Sequence, residues 1–209
     1  MNIRVSRLHF PITTLGPGKR VGIWFQGCSL RCKGCLSPDT WHEKESYFTV
    51  AQLIEHIQQW LPFADGITIS GGEPFEQPDA LYTLIREIKQ QFHGDILVYS
   101  GYEWEAIKAC VERMTPYIDA LISEPFKVEL PQTLVLRGSD NQQLHLFTPL
   151  GKEVFKQYQR TRTPEDKKLD LAFDEHGRLF IAGIPERDDM QRLSQLLAQQ
   201  DSTLKQIKK

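Results

Sequence analysis

Apolar residues over the first 123 positions follow two periods in turn. Residues 4–10 (RVSRLHF) alternate and predict a strand, GPGK (16–19) a turn, and the apolar, β-prone run 20–27 (RVGIWFQG) a second strand. Residues 49–61 then switch to helical spacing, with Leu53, Ile54, Ile57 and Leu61 on one face and Thr49 as the N-cap. GITIS (66–70) is a short strand of the buried type that runs into GGEP. Residues 79–92 place Leu81, Leu84, Ile85 and Ile88 on one helical face. Residues 95–101 (DILVYSG) predict a strand, 104–114 a helix and 119–123 (DALIS) a strand. Strand and helix alternate through short connections, which predicts an α/β fold with a parallel sheet covered by crossover helices. Ligands of such sheets collect at the carboxyl ends of the strands. The loop after residue 27, SGGEP and SGY each follow a strand, so all three are expected on one rim.

Beyond residue 130 the pattern changes. Residues 133–147 predict two short β segments, and 153–168 a polar helix turning into a connector. Residues 169–183 (LDLAFDEHGRLFIAG) alternate on both sides of DEHGR and predict a β-hairpin with one apolar face. Residues 188–200 form an amphipathic helix with Met190, Leu193, Leu196 and Leu197 as its stripe. The expected division is therefore a core over residues 1–150 and a C-terminal extension over 151–209, made of connector, hairpin and helix.

Charge and composition narrow the function. The 209 residues carry a formal net charge of −2, with a sequence pI near 6.3, and give no electrostatic case for a nucleic-acid partner or an anionic membrane. No apolar run approaches the roughly 20 residues that cross a bilayer. The first residues lack the apolar stretch and small-residue cleavage pattern of a signal peptide. A cytoplasmic, reducing location is expected. There, four cysteines with three of them clustered point to metal rather than to disulfides.

The cluster is CSLRCKGC, with Cys28, Cys32 and Cys35 spaced C-x-x-x-C-x-x-C and no fourth cysteine nearby. Structural zinc takes four ligands, and a fourth would have to come from His42 or the distant Cys110. A plain electron-transfer cluster also takes four thiolates. Cys110 sits on a helix face, where a lone cysteine reads as packing. A third arrangement places three thiolates on three irons of a 4Fe-4S cluster and leaves the fourth iron open to a small molecule. An open position is what separates catalytic metal sites from structural ones. GGEP has a reading of its own. Gly71 and Gly72 allow close backbone approach and unusual dihedrals, Ser70 and the glycine carbonyls offer acceptors, and Glu73 complements a cation. Without a ligand the same residues are a strand-to-loop turn. Trp24 and Trp41 read as core.

The cysteine triplet after a strand, followed by ITISGGEPF (67–75), VYSGYEWEAI (98–107), DALI (119–122) and LRGSDNQ (136–142), resembles the radical S-adenosylmethionine (SAM) superfamily. Within it the chain is similar to the activating enzymes of glycyl-radical enzymes, those of anaerobic ribonucleotide reductase above all. The resemblance covers about residues 1–150. It implies a partial, open β/α barrel with the hairpin and helix as an extension. It implies a 4Fe-4S cluster on Cys28, Cys32 and Cys35 and SAM chelating the open iron through its amine and carboxylate. One electron then cleaves the sulfonium C–S bond and yields a 5′-deoxyadenosyl radical. SAM contacts are implied for Gly34, Leu36, Ser70, Gly71, Gly72, Glu73 and Ser100. Arg137 either belongs to this set, holds the sheet edge or pairs with Asp140. The resembled activators carry Asp-Gly where this chain has Ser123-Glu124, so Glu124 stands one residue away from their carboxylate.

Three functions remain open on the residues. The first is an activase that makes a glycyl radical on a larger partner, supplied with electrons by a donor such as flavodoxin or ferredoxin. The second is a radical SAM enzyme acting on a nucleoside or cofactor precursor, with the extension closing a substrate pocket. The third is a non-catalytic iron–sulfur module. The extension is also suited to docking a partner or to forming a homodimer.

Overall fold

The computed structural model describes residues 1–42, 48–173, 176 and 179–199, with side chains described to residue 196. The elements in order are β1 (Asn2–Ile3), β2 (Val5–Ile12), β3 (Arg20–Phe25), β4 (Phe48–Thr49), α1 (Val50–Gln58), β5 (Gly66–Gly71), α2 (Pro78–Lys89), β6 (Asp95–Tyr99), α3 (Trp104–Glu112), β7 (Ala120–Ser123), β8 (Gln143–Leu146), α4 (Pro149–Phe155), β9 (Leu169–Phe173), β10 (Leu179–Gly183) and α5 (Asp189–Gln199).

The frame is an open six-stranded sheet in the order β2-β3-β5-β6-β7-β8. The four middle strands are parallel, as the βαβ pattern predicts. Both edges run antiparallel to their neighbours, so the sheet is mixed and does not close on itself. A turn of a few residues joins β2 to β3, and so short a link can only reverse the chain. Period-2 alternation decides which side chain faces which layer. Val21, Ile23 and Phe25 of β3, Ile67 and Ile69 of β5, and Ile96 and Val98 of β6 pack beneath α1, α2 and α3. Leu97, Ala120, Ile122 and Leu144 face the other way, against Phe155 of α4 and the segment around Val135. Thr49 caps α1 in a capping box with Gln52, as its position predicts.

The opposite face holds a charge that the hydrophobic pattern does not reveal. Arg20, fully buried, makes a two-pronged pair with Asp95, at 2.5 and 3.1 Å. It also donates to Thr68 Oγ1 at 2.6 Å and to the carbonyls of Ile67 and Pro17. Every branch of the guanidinium is used, which is the condition under which a buried ion pair is tolerated.

Two expectations beyond residue 130 need correction. Residues 133–137 form no strand, only an isolated bridge between Leu134 and Thr161. Asp140 folds this stretch into a turn by accepting from the amides of Thr133 and Leu134 at 2.7 and 3.1 Å, and Leu136 takes φ +62°. The next helix begins at Pro149, not near 153. Thr148 caps it and Pro149 occupies its first turn, where proline loses no helical bond.

The hairpin forms as expected from β9 and β10, although part of its turn lies outside the described residues. It docks on the chain's own β2–β3 end. Ala182 is buried with Ile12, Leu15 and Trp24. Phe180 stacks on His9 at 4.0 Å and meets Trp24 edge-on. Asp170 pins the hairpin by accepting from both the amide and the hydroxyl of Thr13 and of Thr14, at 2.6–3.0 Å. On α5, Met190 and Leu193 are half-buried and Leu196 is exposed, while the Leu197 side chain lies outside the described set. No helix among the described residues is long and apolar enough to cross a membrane.

Candidate metal and cofactor site

The three loops expected on one rim do meet there. The cysteine loop leaves β3 at Phe25 and is fastened at its base, where the amides of Gly27 and Cys28 donate to Thr40 and Trp41 at 2.8 and 3.1 Å. Arg31 and Gly34 take left-handed dihedrals, φ +46° and +78°, and these curl the loop between its cysteines. A β-carbon at Gly34 would touch Val128 and Phe126, so this glycine seats the loop on the segment after β7. Cys28, Cys32 and Cys35 are free and half-buried.

GGEP lies directly against the base of this loop. Gly72 and Glu73 donate their amides to Phe25 and Gly27, both at 2.8 Å. Gly71 has φ +105°, and a β-carbon there would lie 2.5 Å from the Phe25 amide nitrogen. One at Gly72 would lie 2.8 Å from the Gly27 carbonyl carbon and nearer still to its oxygen. The close approach that these glycines permit is thus filled, at least on this side, by the chain's own backbone.

Glu73 joins the third loop. Its carboxylate accepts from the Ser100 hydroxyl at 2.9 Å, from the Gly101 amide at 2.7 Å and from the Phe75 amide at 3.0 Å. It is 1% exposed, and burial raises its pKa to about 7 in spite of those three donors. Burial also pushes the thiols of Cys28 and Cys32 upward, and the nearby carboxylate of Glu73 adds to both shifts. The sulfurs and Glu73 therefore share one electrostatic neighbourhood, which favours protons or a metal cation over bare thiolates. Ser29 and Tyr102 meet across the rim at Glu76, the first at 2.6 Å and the second at 3.4 Å. Sequence reasoning missed Glu76, which stands three residues beyond Glu73.

The remaining candidates fall into place around this frame. Leu36 is exposed beside Cys35, and Ser70 is half-buried at the end of β5. Arg137 is buried and gives its hydrogen bonds to the carbonyls of Gln142, Val135 and Tyr158. Asp140 is occupied by Thr133 and Leu134, so Arg137 braces the loop backbone at the sheet edge. The rest of that motif clamps the segment after β7. Asn141 donates to Pro125, Gln142 to Glu124, and the Lys127 amide to Ser139. Glu124 takes φ +82° at the position where the resembled activators carry glycine, and its carboxylate accepts from the Trp104 amide at 2.9 Å at the start of α3. Cys110 lies on α3, packed against the core.

Among the described residues, no three His, Cys, Asp or Glu side chains converge as a single metal ion requires. The donor set is instead three free thiols along one curled loop, and it fits a group that takes each sulfur on a different iron. Fold and site together define an α/β protein whose three clustered cysteines gather at the carboxyl ends of its strands and fit an iron–sulfur cluster there. The comparisons sharpen this class. The model of the 4Fe-4S single cluster domain matches residues 14–145. The anaerobic ribonucleoside-triphosphate reductase-activating protein of Enterobacteria phage T4 is 32% identical over 136 residues, 62% of this chain and 85% of its own. The protein of that name from Escherichia coli K12 is 31% identical over 147 residues, 66% of this chain and 95% of its own. A pyruvate formate-lyase-activating enzyme from Clostridium pasteurianum is 37% identical over 94 residues, 42% of this chain and 39% of its own. The chain belongs to the 4Fe-4S single cluster domain family, among its radical SAM activating enzymes. The family model ends before α4, so α4, the hairpin and α5 lie outside it.

Proposed function

We propose that this protein activates a larger glycyl-radical enzyme, an anaerobic ribonucleotide reductase or a relative of one, by generating the glycyl radical on it. The observation that carries this reading is the alignment along 95% of the E. coli activating protein. We take the open sheet with α1–α3 on one face as a partial β/α barrel of the radical SAM type, with residues 1–150 as its core and 151–209 as an appended unit.

In this reading Cys28, Cys32 and Cys35 hold the 4Fe-4S cluster. With SAM bound, the cluster supplies one-electron reductive cleavage of a sulfonium C–S bond. The chain's own groups bind and orient. Ser70 and the carbonyls of Gly71 and Gly72 offer acceptors to the SAM ammonium. Ser100 and the Gly101 amide hold the Glu73 carboxyl in place, and an arriving cation favours its ionised form. Gly34 and Leu36 line the adenine side. The half-burial of all three cysteines limits water at the metal while leaving it within reach of a reductant. An external donor such as flavodoxin or ferredoxin, a cytoplasmic setting and a homodimeric state complete the proposal.

Anaerobic reconstitution, reduction with dithionite and chromatography of the products test it. The expected product is 5′-deoxyadenosine, with a carbon-centred radical appearing by EPR on the co-incubated partner. A full cluster that yields no 5′-deoxyadenosine would make the protein a non-catalytic module. Cleavage that leaves every candidate partner unmodified and consumes a nucleoside instead would make it a small-molecule enzyme.

A further inference from the structure

One carboxylate at the rim, that of Glu76, ties the three loops together. Glu76 ends the short helical turn Pro74–Glu76 that follows GGEP, and its amide donates to the Glu73 carbonyl at 3.1 Å. From the cysteine loop, Ser29 gives the carboxylate both its amide and its hydroxyl, each at 2.6 Å. From the third loop the Tyr102 hydroxyl donates at 3.4 Å. Tyr102 in turn gives its amide to Ser100 Oγ at 3.1 Å, and Ser100 donates that hydroxyl to Glu73 at 2.9 Å. These bonds close a ring from Glu73 through Ser100 and Tyr102 to Glu76, and back through the backbone to Glu73. Ser29 hangs on that ring and is the direct neighbour of Cys28. The ring therefore fixes the path on which the first cysteine arm leaves the base of its loop.

Two details set Glu76 apart from an ordinary loop brace. All three incoming side-chain bonds fall on one oxygen, Oε1, and Oε2 carries none among the described residues. No arginine, lysine or histidine among the described residues pairs with this half-buried carboxylate. Asp39, on the far side of the cysteine loop, is different, since Arg7 pairs with it at 2.5 Å. A negative charge without a counter-ion thus stands beside the Cys28 arm. The sulfur feels it. Burial comes first in raising the Cys28 thiol, and the charges of Glu73 and Glu76 push it the same way. A charge that disfavours a thiolate also disfavours an electron added to a metal group held there, because both place negative charge at one point.

We propose that Glu76 is a positioning residue for the cluster: it tethers the Cys28 arm through Ser29 and, as a carboxylate without a counter-ion, holds the cluster's reduction potential low. The inference rests on the activating-enzyme reading, in which a strongly reducing cluster is what SAM cleavage requires. It adds a residue that touches neither the irons nor SAM and acts through Ser29 and through its charge.

Two variants of the full chain separate the tether from the charge. Glu76→Gln keeps an oxygen at Oε1 for all three donors and removes only the charge. In the reconstituted protein without SAM, a potentiometric titration followed by EPR should find this variant easier to reduce by about tenfold in equilibrium constant, about 59 mV for one electron. Glu76→Ala should show a similar rise and lose the tether as well. In the metal-free protein, hydrogen exchange across residues 28–36 should then run about tenfold faster or more, the scale of the two Ser29 bonds, while Glu76→Gln exchanges like the parent. A brace with no electrostatic role would move the exchange and leave the potential where it was. A Glu76→Gln potential equal to the parent's overturns the part assigned to the charge, and unchanged exchange in Glu76→Ala overturns the tether. The parent's own cluster content and SAM cleavage test the activating-enzyme reading. A parent that passes both, beside an unshifted Glu76→Gln potential, overturns the role of Glu76 alone.

Discussion

Replacing Gly72 with alanine asks whether the glycines of GGEP serve a ligand or the chain itself. The added β-carbon would sit 2.8 Å from the Gly27 carbonyl carbon, with the oxygen closer, whereas ordinary contact begins near 3.4 Å. The obstacle is backbone that Thr40 fastens from the other side, so it has no side chain to swing away. Relief takes a separation of about 1 Å, enough to break the 2.8 Å bonds from Gly72 to Phe25 and from Glu73 to Gly27. Two backbone hydrogen bonds at about 1 kcal/mol each, with about 1–3 kcal/mol of overpacking strain, give about 3–5 kcal/mol. At roughly 2–4 °C per kcal/mol for a chain of this size, the melting temperature should fall by about 6–20 °C. Gly101→Ala is the control. Its β-carbon would meet Leu30 Cδ1 at 2.6 Å, the far end of a side chain that can rotate, and should cost about 1 kcal/mol or less. Scanning calorimetry of the metal-free protein, with iron analysis after reconstitution, reads both variants. A Gly72→Ala protein that melts within about 2 °C of the parent would refute the reasoning. Loss of SAM binding alone would then assign the glycine to the ligand.

Cys28→Ala, Cys32→Ala and Cys35→Ala should each abolish the cluster in iron and sulfide assays. Cys110→Ala should retain it, since Cys110 packs against the core on α3, and cluster loss there would identify a fourth ligand. Asp95→Ala strands the fully buried Arg20 and should cost about 3–5 kcal/mol in denaturant unfolding; a loss below about 1 kcal/mol would contradict the pairing. Glu73 has its pKa raised to about 7, so the stability it lends as a neutral acid is complete below about pH 4.5 and is lost as the pH climbs through about 7. The metal-free protein should lose about 3 kcal/mol across that window relative to Glu73→Gln, and parallel stability curves for the two would be the disproof. Asp170→Ala removes four hydrogen bonds to Thr13 and Thr14 and should open β9–β10 to limited proteolysis while the six-stranded sheet stays protected.

The middle of the fold is legible because its signals are local. Runs such as GITIS and DILVY are short and apolar, the intervening helices carry a clear face, and Thr49 with Gln52 marks a helix start within four residues. The cysteine triplet is equally local. The junctions that bring separate loops together are not. Nothing near Glu73 indicates that its carboxylate will hold Ser100 and Gly101, 27 and 28 residues away. Arg20 reads as a polar strand end until Asp95, 75 residues on, closes on it. The edges of the sheet escape for a related reason, since a βαβ pattern specifies the parallel interior and leaves the flanking strands to turn length. The start of α4 had a signal, a proline directly after a threonine cap, that the apolar period hides because the helix is so short. Residues 133–137 have strand-like composition, and the Asp140 carboxylate overrides it.

Glu124 shows how such a site drifts in sequence without losing its shape. A left-handed backbone costs a non-glycine residue about 1–2 kcal/mol, and the capping bond from the Trp104 amide returns about 0.5–2 kcal/mol. The two terms nearly cancel. Glycine and glutamate are therefore close to interchangeable here, the first by freedom from strain and the second by fastening α3. A position that looks in alignment like a broken motif is thermodynamically a flat step, one that a lineage can cross in a single substitution in either direction. Identity at this residue therefore tells little about whether two such chains share the same loop.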